Sequence, residues 1–483
     1  MNKKIAIAIL ALLISCAGFA QTGNNTRVVC YEEILKRKVA ENPEVLAKLN
    51  AYEEQLKQEI ELMKKNKGAK TDTLINGKHI IPVVFHIIHN NGPENISEEQ
   101  IMTCIELANI DLNMENPDTV LGVNTYEGFS GRRANPRIEL RLARLDPDGN
   151  PTSGIIRHES ANANSMSYTD MPQYAWDATK YLNIFSVGAI TVEGMAGMDG
   201  TVVGMSLFPP TNPLTAMFTD DPNCDGVLIR HDAIGNIGTA TDLVGKGINA
   251  QNRSFTHEFG HYMNLYHTFQ NLSEDWDMNN QSDQMDMMLT QFMGTGCDTV
   301  SYGGTKLYGD YVDDTPPVTA ATQDDDQNCK PVGSVNTCTN HIAGYGDEPD
   351  MIENYMDYQW GFCANMFTLG QLERINATLD GYRRSLWQYE NLIATGVLNY
   401  NDIPEQINDS GFELYPNPTN DILNIKSKSI NFDNAQVDLY DLSGKLLLHN
   451  TLQESTLRID VSGLASGFYI IKINGKSEKF IKK

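Results

Sequence analysis

The stretch His257-Glu258-Phe259-Gly260-His261-Tyr262-Met263-Asn264-Leu265-Tyr266-His267 decides how the rest of the chain is read. It has the form H-E-x-x-H-x-x-N-x-x-H. On a helix, His257 and His261 stand one turn apart, ~6 Å along the axis, on one face. Two imidazoles so placed bind one Zn²⁺ from the same side, and Glu258 reaches a water at the metal as general base. On a continuing helix His267 would lie ~9 Å beyond His261, rotated by about 240°, out of reach of the same ion. The spacing therefore predicts that the helix stops near Asn264 and the chain turns back. After glycine, asparagine is the residue best tolerated in the left-handed conformation such a turn needs. Three protein ligands leave a fourth position open, which is the catalytic arrangement.

Two more motifs follow. Gly309-Asp310-Tyr311-Val312-Asp313-Asp314-Thr315-Pro316 is rich in hard oxygens, and Asn354-Tyr355-Met356-Asp357-Tyr358 carries a methionine two residues before a tyrosine. Together with the run from His257 to His267-Thr268-Phe269, these resemble the pappalysin family of metzincin zinc metallopeptidases, over about residues 78–395. Asn264 stands where that signature has glycine. The resemblance implies several roles. Met356 is the Met-turn residue, a thioether packed beneath the imidazoles without binding metal. Tyr358 ligates zinc or stabilises an oxyanion. Calcium is held near Asp310, Asp313 and Thr315. Cys297 bonds to Cys338 and Cys329 to Cys363. Val202–Pro210 is the edge strand on which a peptide substrate pairs as an added strand.

The segments before this region read as export and latency. Asn2-Lys3-Lys4, the apolar run Ile5 to Ile14 and Gly18-Phe19-Ala20 form a signal peptide over residues 1–20. Leu13-Ile14-Ser15-Cys16 also allows a lipoprotein reading. Residues 21–76 read as a helical, charged, detachable pro-segment, with Pro43 suited to a helix start and 68–72 a polar connector open to proteolysis. In it, Arg27-Val28-Val29-Cys30 resembles the stretch with which related pro-segments cap the zinc by a thiolate. A stray or disulfide-bonded Cys30 is the alternative. Six cysteines in the catalytic region allow 15 connectivities, and Cys104 and Cys224 are left paired or free.

Within residues 77–395, β-branched His79–His89 predicts a central strand, and Ser97 caps a helix running to about Asn113. Ile138–Leu145, Tyr181–Val187 and Asp225–Arg230 predict further strands. The alternation of strands and helices predicts an α/β upper lobe, so the fold class is α+β with a metzincin catalytic domain. His86 and His89 read as structural. Asp220–Asp225 reads as an acidic turn. Residues 396–411 are a polar linker. Residues 412–483 alternate strongly between turns and predict a small all-β sandwich. Tyr415-Pro416-Asn417-Pro418, Leu442-Ser443-Gly444-Lys445, Gly467-Phe468-Tyr469 and the basic end Lys479–Lys483 resemble the C-terminal sorting domain of the type IX secretion system.

The formal net charge of −25 over 483 residues argues against nucleic acid or an anionic membrane as partner. No apolar run is long enough for a membrane span. The reading that results is a secreted zinc endopeptidase acting on proteins or peptides, with calcium as a second cofactor. Its rivals are a zinc amidase acting on non-peptide amides and a surface adhesin on an inactive metzincin scaffold. Intact His257, Glu258, His261 and His267 argue against the adhesin. Gln359-Trp360-Gly361-Phe362, after the Met-turn, is compatible with an apolar S1′ pocket.

Overall fold

The computed structural model describes residues 27–29, 42–65, 74–119, 124–192, 200–269, 310–318, 331–338, 347–358, 363–398, 412–427, 436–441, 446–451, 456–465, 467–473 and 476–483. The expectations for the signal peptide, Cys30, the connector 68–72, Cys297, Cys329 and residues 359–362 lie outside them.

The first described element is a three-residue strand, β1 (Arg27–Val29). Helix α1 (Pro43–Lys65) starts on its proline, whose missing N–H is no loss in a first turn. Strand β2 (His79–His89) is an almost continuous apolar run and is buried along nearly its whole length. That is the pattern of a strand covered on both faces. Helix α2 (Glu98–Leu112) is capped by Ser97, whose Oγ accepts the Gln100 N–H at 3.2 Å. There follow β3 (Arg133–Ala134), β4 (Ile138–Leu142), β5 (Ile155–Glu159), β6 (Leu182–Val187), β7 (Gly200–Val202), β8 (Gly204–Ser206) and β9 (Gly226–Arg230).

The main sheet has the order β4-β2-β6-β9-β8, with β5 also paired to β2. Its pairings are parallel except β8 with β9, which is antiparallel. Strand β8 therefore ends the sheet, as an edge strand running against its neighbours. The segment Val202–Pro210 is not one strand. It breaks at Val203 into β7 and β8, and β7 pairs in parallel with β1, Arg27 opposite Gly200.

Helix α3 (Arg253–Tyr262) lies on one face of the sheet; beyond it come β10 (Phe367–Thr368) and α4 (Leu369–Asp380). Thr368 and Gln371 close a capping box at the start of α4. On this face Phe85, Ile184 and Val227 of the sheet pack with Ile105 of α2, Phe255 and Phe259 of α3 and Ile375 of α4. On the other face Phe185, Met205 and Leu228 pack with Tyr266 and with Val45 and Leu49 of α1. The helix of the expected pro-segment packs into a core: its apolar positions fall at helical spacing, and they meet the sheet.

Contacts divide the chain into two units, Met1–Asn399 and Tyr400–Lys483. The second contains a three-stranded and a four-stranded antiparallel sheet, formed by β11 (Phe412–Tyr415), β12 (Ile422–Ser427), β13 (Gln436–Asp441), β14 (Leu446–Thr451), β15 (Thr456–Asp460), β16 (Gly467–Ile473) and β17 (Lys476–Lys482). Inward residues such as Leu423, Ile425, Val437, Leu439 and Ile471 form its core. The period-two alternation produces this, because each strand buries one face.

Candidate active site

Helix α3 is pinned at its start. Arg253 pairs with Asp111 of α2, with Asp118 (2.6 Å) and with the Tyr355 hydroxyl (2.8 Å), and Thr256 Oγ1 donates to Asp111 Oδ2 (2.7 Å). Burial pushes the Asp111 carboxyl up to about 6, against the pull of Arg253. A buried pair of this kind is strongly orienting, because moving either partner leaves an uncompensated charge.

The other end of α3 ends as the spacing predicts. Asn264 is left-handed, φ 69°. The Leu265 N–H donates to Gly260 O (2.9 Å) and the Asn264 N–H to His261 O (2.8 Å). This is a Schellman motif with asparagine in the glycine position. The Asn264 side chain is fixed too, accepting from Asn212 Nδ2 (2.9 Å) and donating to the Tyr52 hydroxyl (3.0 Å). The reversal carries His267 back to the two helix histidines.

His257 Nε2 lies 3.1 Å and His261 Nε2 3.0 Å from His267 Nε2. Three nitrogens around one tetrahedral zinc, with Zn–N near 2.0–2.1 Å, stand ~3.3 Å apart. The donor set therefore fits the ion. The tautomers fit as well: His257 Nδ1–H donates to Tyr355 O (2.7 Å) and His261 Nδ1–H to Leu265 O (2.8 Å), which turns both Nε2 lone pairs to the common point. Burial, with His267 and His257 close by, holds His261 well below the usual histidine range, so it stays neutral. Among the described residues this is the one group of histidine, cysteine or acidic side chains placed to hold a metal.

Glu258 is buried beside this cluster, and the edge strand leaves room for it. A Cβ at Gly204 of β8 would lie 2.6 Å from Glu258 Cγ and 2.7 Å from its Oε1. Gly260 does the same for the methionine: a Cβ there would lie 2.3 Å from Met356 Sδ. Met356 is fully buried and holds the Thr268 N–H through its carbonyl at 3.2 Å. Tyr358 stands at the cluster, its ring 4.8 Å from that of His267 and 5.7 Å from that of His257.

Residues 243–380 match the family model described as pregnancy-associated plasma protein-A, and residues 413–483 match that of the secretion system C-terminal sorting domain. An extracellular metalloprotease of Arthroderma otae is 24% identical over 270 residues, 55% of this chain and 78% of its own length. One of Arthroderma benhamiae is 24% identical over 204 residues, 42% of this chain and 55% of its own length, so the chain spans about half of that relative. A solved structure of a promirolysin mutant of Tannerella forsythia is similar with a TM-score of 0.53 and 26% identity, over 77% of this chain and 99% of that one.

The chain is a metalloendopeptidase that resembles the pappalysin family over residues 243–380. Its sorting domain and its extracellular relatives mark it as a secreted protein. No described helix is long and apolar enough to cross a membrane.

The other expected sites fare differently. Asp310 Oδ2 accepts from Thr315 Oγ1 (2.6 Å) and Asp310 Oδ1 from the Val312 N–H (3.1 Å), while Asp313 is exposed. A calcium ion there would need further oxygens to complete its shell. Cys338 and Cys363 are disulfide-bonded. Their expected partners lie outside the described residues. Cys104 and Cys224 are free thiols. His86 is structural: it is buried at 0% exposure between Asn183 (3.1 Å) and His158 (3.2 Å), and burial holds it at about 3.

Sequence reading missed Gly204, Arg253, Asp111 and the Tyr355 carbonyl. Gly260 carried a signal, a glycine inside a helix, which is disfavoured unless something packs close. The others act across long separations, and no local pattern marks them.

Proposed function

We propose that the protein hydrolyses internal peptide bonds of extracellular proteins or peptides with zinc held by His257, His261 and His267. The observation that carries this is the convergence of three imidazole Nε2 atoms, two of them oriented by carbonyls, beside the buried Glu258.

Zinc, when bound there, polarises the scissile carbonyl and acidifies the attacking water. Glu258 takes the proton of that water on its carboxylate and later delivers it to the leaving amine. The Tyr358 hydroxyl donates a hydrogen bond to the developing oxyanion. Met356 packs the floor of the site. The substrate adds as a strand along β8, whose place at the end of the sheet supports this. Export proceeds by a signal peptide at residues 1–20 and by the type IX machinery, which reads the C-terminal domain. Residues 21–76 keep the enzyme latent, with Cys30 as the zinc cap. The pairing of β1 with β7, which brings residues 27–29 next to the strand leading into β8, supports that part of the reading.

The test is Glu258→Gln beside the parent, assayed on denatured protein and a peptide library with and without a zinc chelator. The expected result is chelator-sensitive cleavage in the parent, an activity about 10²–10⁴-fold lower in the variant, and equal zinc content in both. Full activity in the variant would remove Glu258 from its role. Turnover of small amides alone would favour the amidase.

A further inference from the structure

Helix α1 reaches the metal site through a buried cradle, in which the Glu53 carboxylate accepts three hydrogen bonds. Arg374 of α4 donates from Nη1 to Oε2 (2.5 Å) and from Nη2 to Oε1 (3.1 Å), and the Tyr266 hydroxyl donates to Oε1 (2.8 Å). The side chains of the ion pair are only 4% and 6% exposed. The same Arg374 donates from Nε to the Asn264 carbonyl (3.1 Å), and its guanidinium lies 5.0 Å from the centre of the Tyr266 ring. Next to Glu53, the Tyr52 hydroxyl accepts from Asn264 Nδ2 (3.0 Å). Both contacts of the helix therefore end on Asn264 and Tyr266, the residue that reverses the chain and the neighbour of the third histidine.

We propose that Glu53 is a positioning residue for His267: the catalytic unit carries a carboxylate-binding cradle, and its occupancy by helix α1 fixes the turn that delivers the third metal ligand. This rests on the reading of His257, His261 and His267 as the zinc site. The argument is one of charge. Arg374 is buried, and a buried guanidinium holds its place only while paired. With the carboxylate removed, Arg374 leaves its position, the Asn264 carbonyl loses the Arg374 donor, and the Tyr266 hydroxyl loses its charged acceptor and keeps the Asn212 amide as donor. Apolar packing also holds the helix, through Val45 and Leu49, while the hydrogen bonds that reach Asn264 and Tyr266 come from the polar cradle. The polar cradle is therefore what couples helix α1 to the turn.

The test uses the full chain carrying Glu258→Gln, which prevents self-cleavage, loaded with zinc and mixed with excess chelator. Adding Glu53→Gln should speed zinc release at least tenfold. Glu53→Asp, which keeps the charge, should recover most of the loss, and Glu54→Gln, on the exposed side of the same helix, should release at the parent rate. Release from Glu53→Gln at the parent rate overturns the inference. Should Glu53→Gln fail to fold, Tyr52→Phe carries the test: a few-fold faster release supports the inference, and an unchanged rate overturns it. A parent that takes up no zinc overturns the metal-site reading, and this inference with it.

Discussion

The two ends of helix α3 are held by buried ion pairs of similar burial but different origin. At the start, Arg253 pairs with Asp111, side chains 9% and 3% exposed. Both come from the catalytic region. Past the other end, Arg374 pairs with Glu53, 4% and 6% exposed, and Glu53 belongs to the segment before that region. The first anchor belongs to the folded enzyme by construction. The second lasts only while helix α1 stays docked. The difference teaches where regulation can enter: the helix that presents His257 and His261 is fixed by its own domain, while the turn that presents His267 is open to control from outside it.

Removing the first anchor should have the largest effect on stability. Asp111→Ala leaves Arg253 with Asp118 and the Tyr355 hydroxyl, strands Thr256, and should lower the unfolding free energy by about 3 kcal/mol, read in urea. Zinc should then leave only as the protein unfolds globally. Zinc loss well before unfolding would make the two ends alike and break the comparison.

Between the ends, Gly204→Ala should displace the Glu258 carboxylate. Misplacing a reacting group by about 1 Å costs about 10²-fold in rate. The expected outcome is a kcat lower by that factor with zinc content and thermal stability unchanged. An unchanged kcat would mean that the edge strand shifts instead.

The smallest effect belongs to the turn itself. Asn264→Ala must hold φ near 69°, at a cost of about 1–2 kcal/mol, and also loses the bonds to Asn212 and Tyr52. Asn264→Gly loses those bonds but relieves the backbone. Thermal unfolding should therefore rank Asn264→Ala below Asn264→Gly. Equal losses would assign the turn to its side-chain bonds and strengthen the link to α1.

Much of the site was legible in the sequence because it is local. His257, Glu258 and His261 fall within one helical turn, and Asn264 announces the reversal that His267 requires. The strands β2, β6 and β9 were legible from their apolar runs. Strand β8 was read too long, because the residues on either side of Val203 are equally strand-like and only pairing separates β7 from β8. Helix α1 was legible as a helix but not as part of a core, since its apolar stripe does not say what it faces.

By itself, then, the sequence marked the three histidines that converge, the glutamate beside them and the turn between them, because helix periodicity and backbone preference act over a few residues. Only the tertiary structure decided what holds that set in place. Arg253 and Asp111 are 142 positions apart and Glu53 and Arg374 are 321 apart. Such pairs form because buried charges must find partners wherever the fold brings them, and no short-range pattern encodes that meeting.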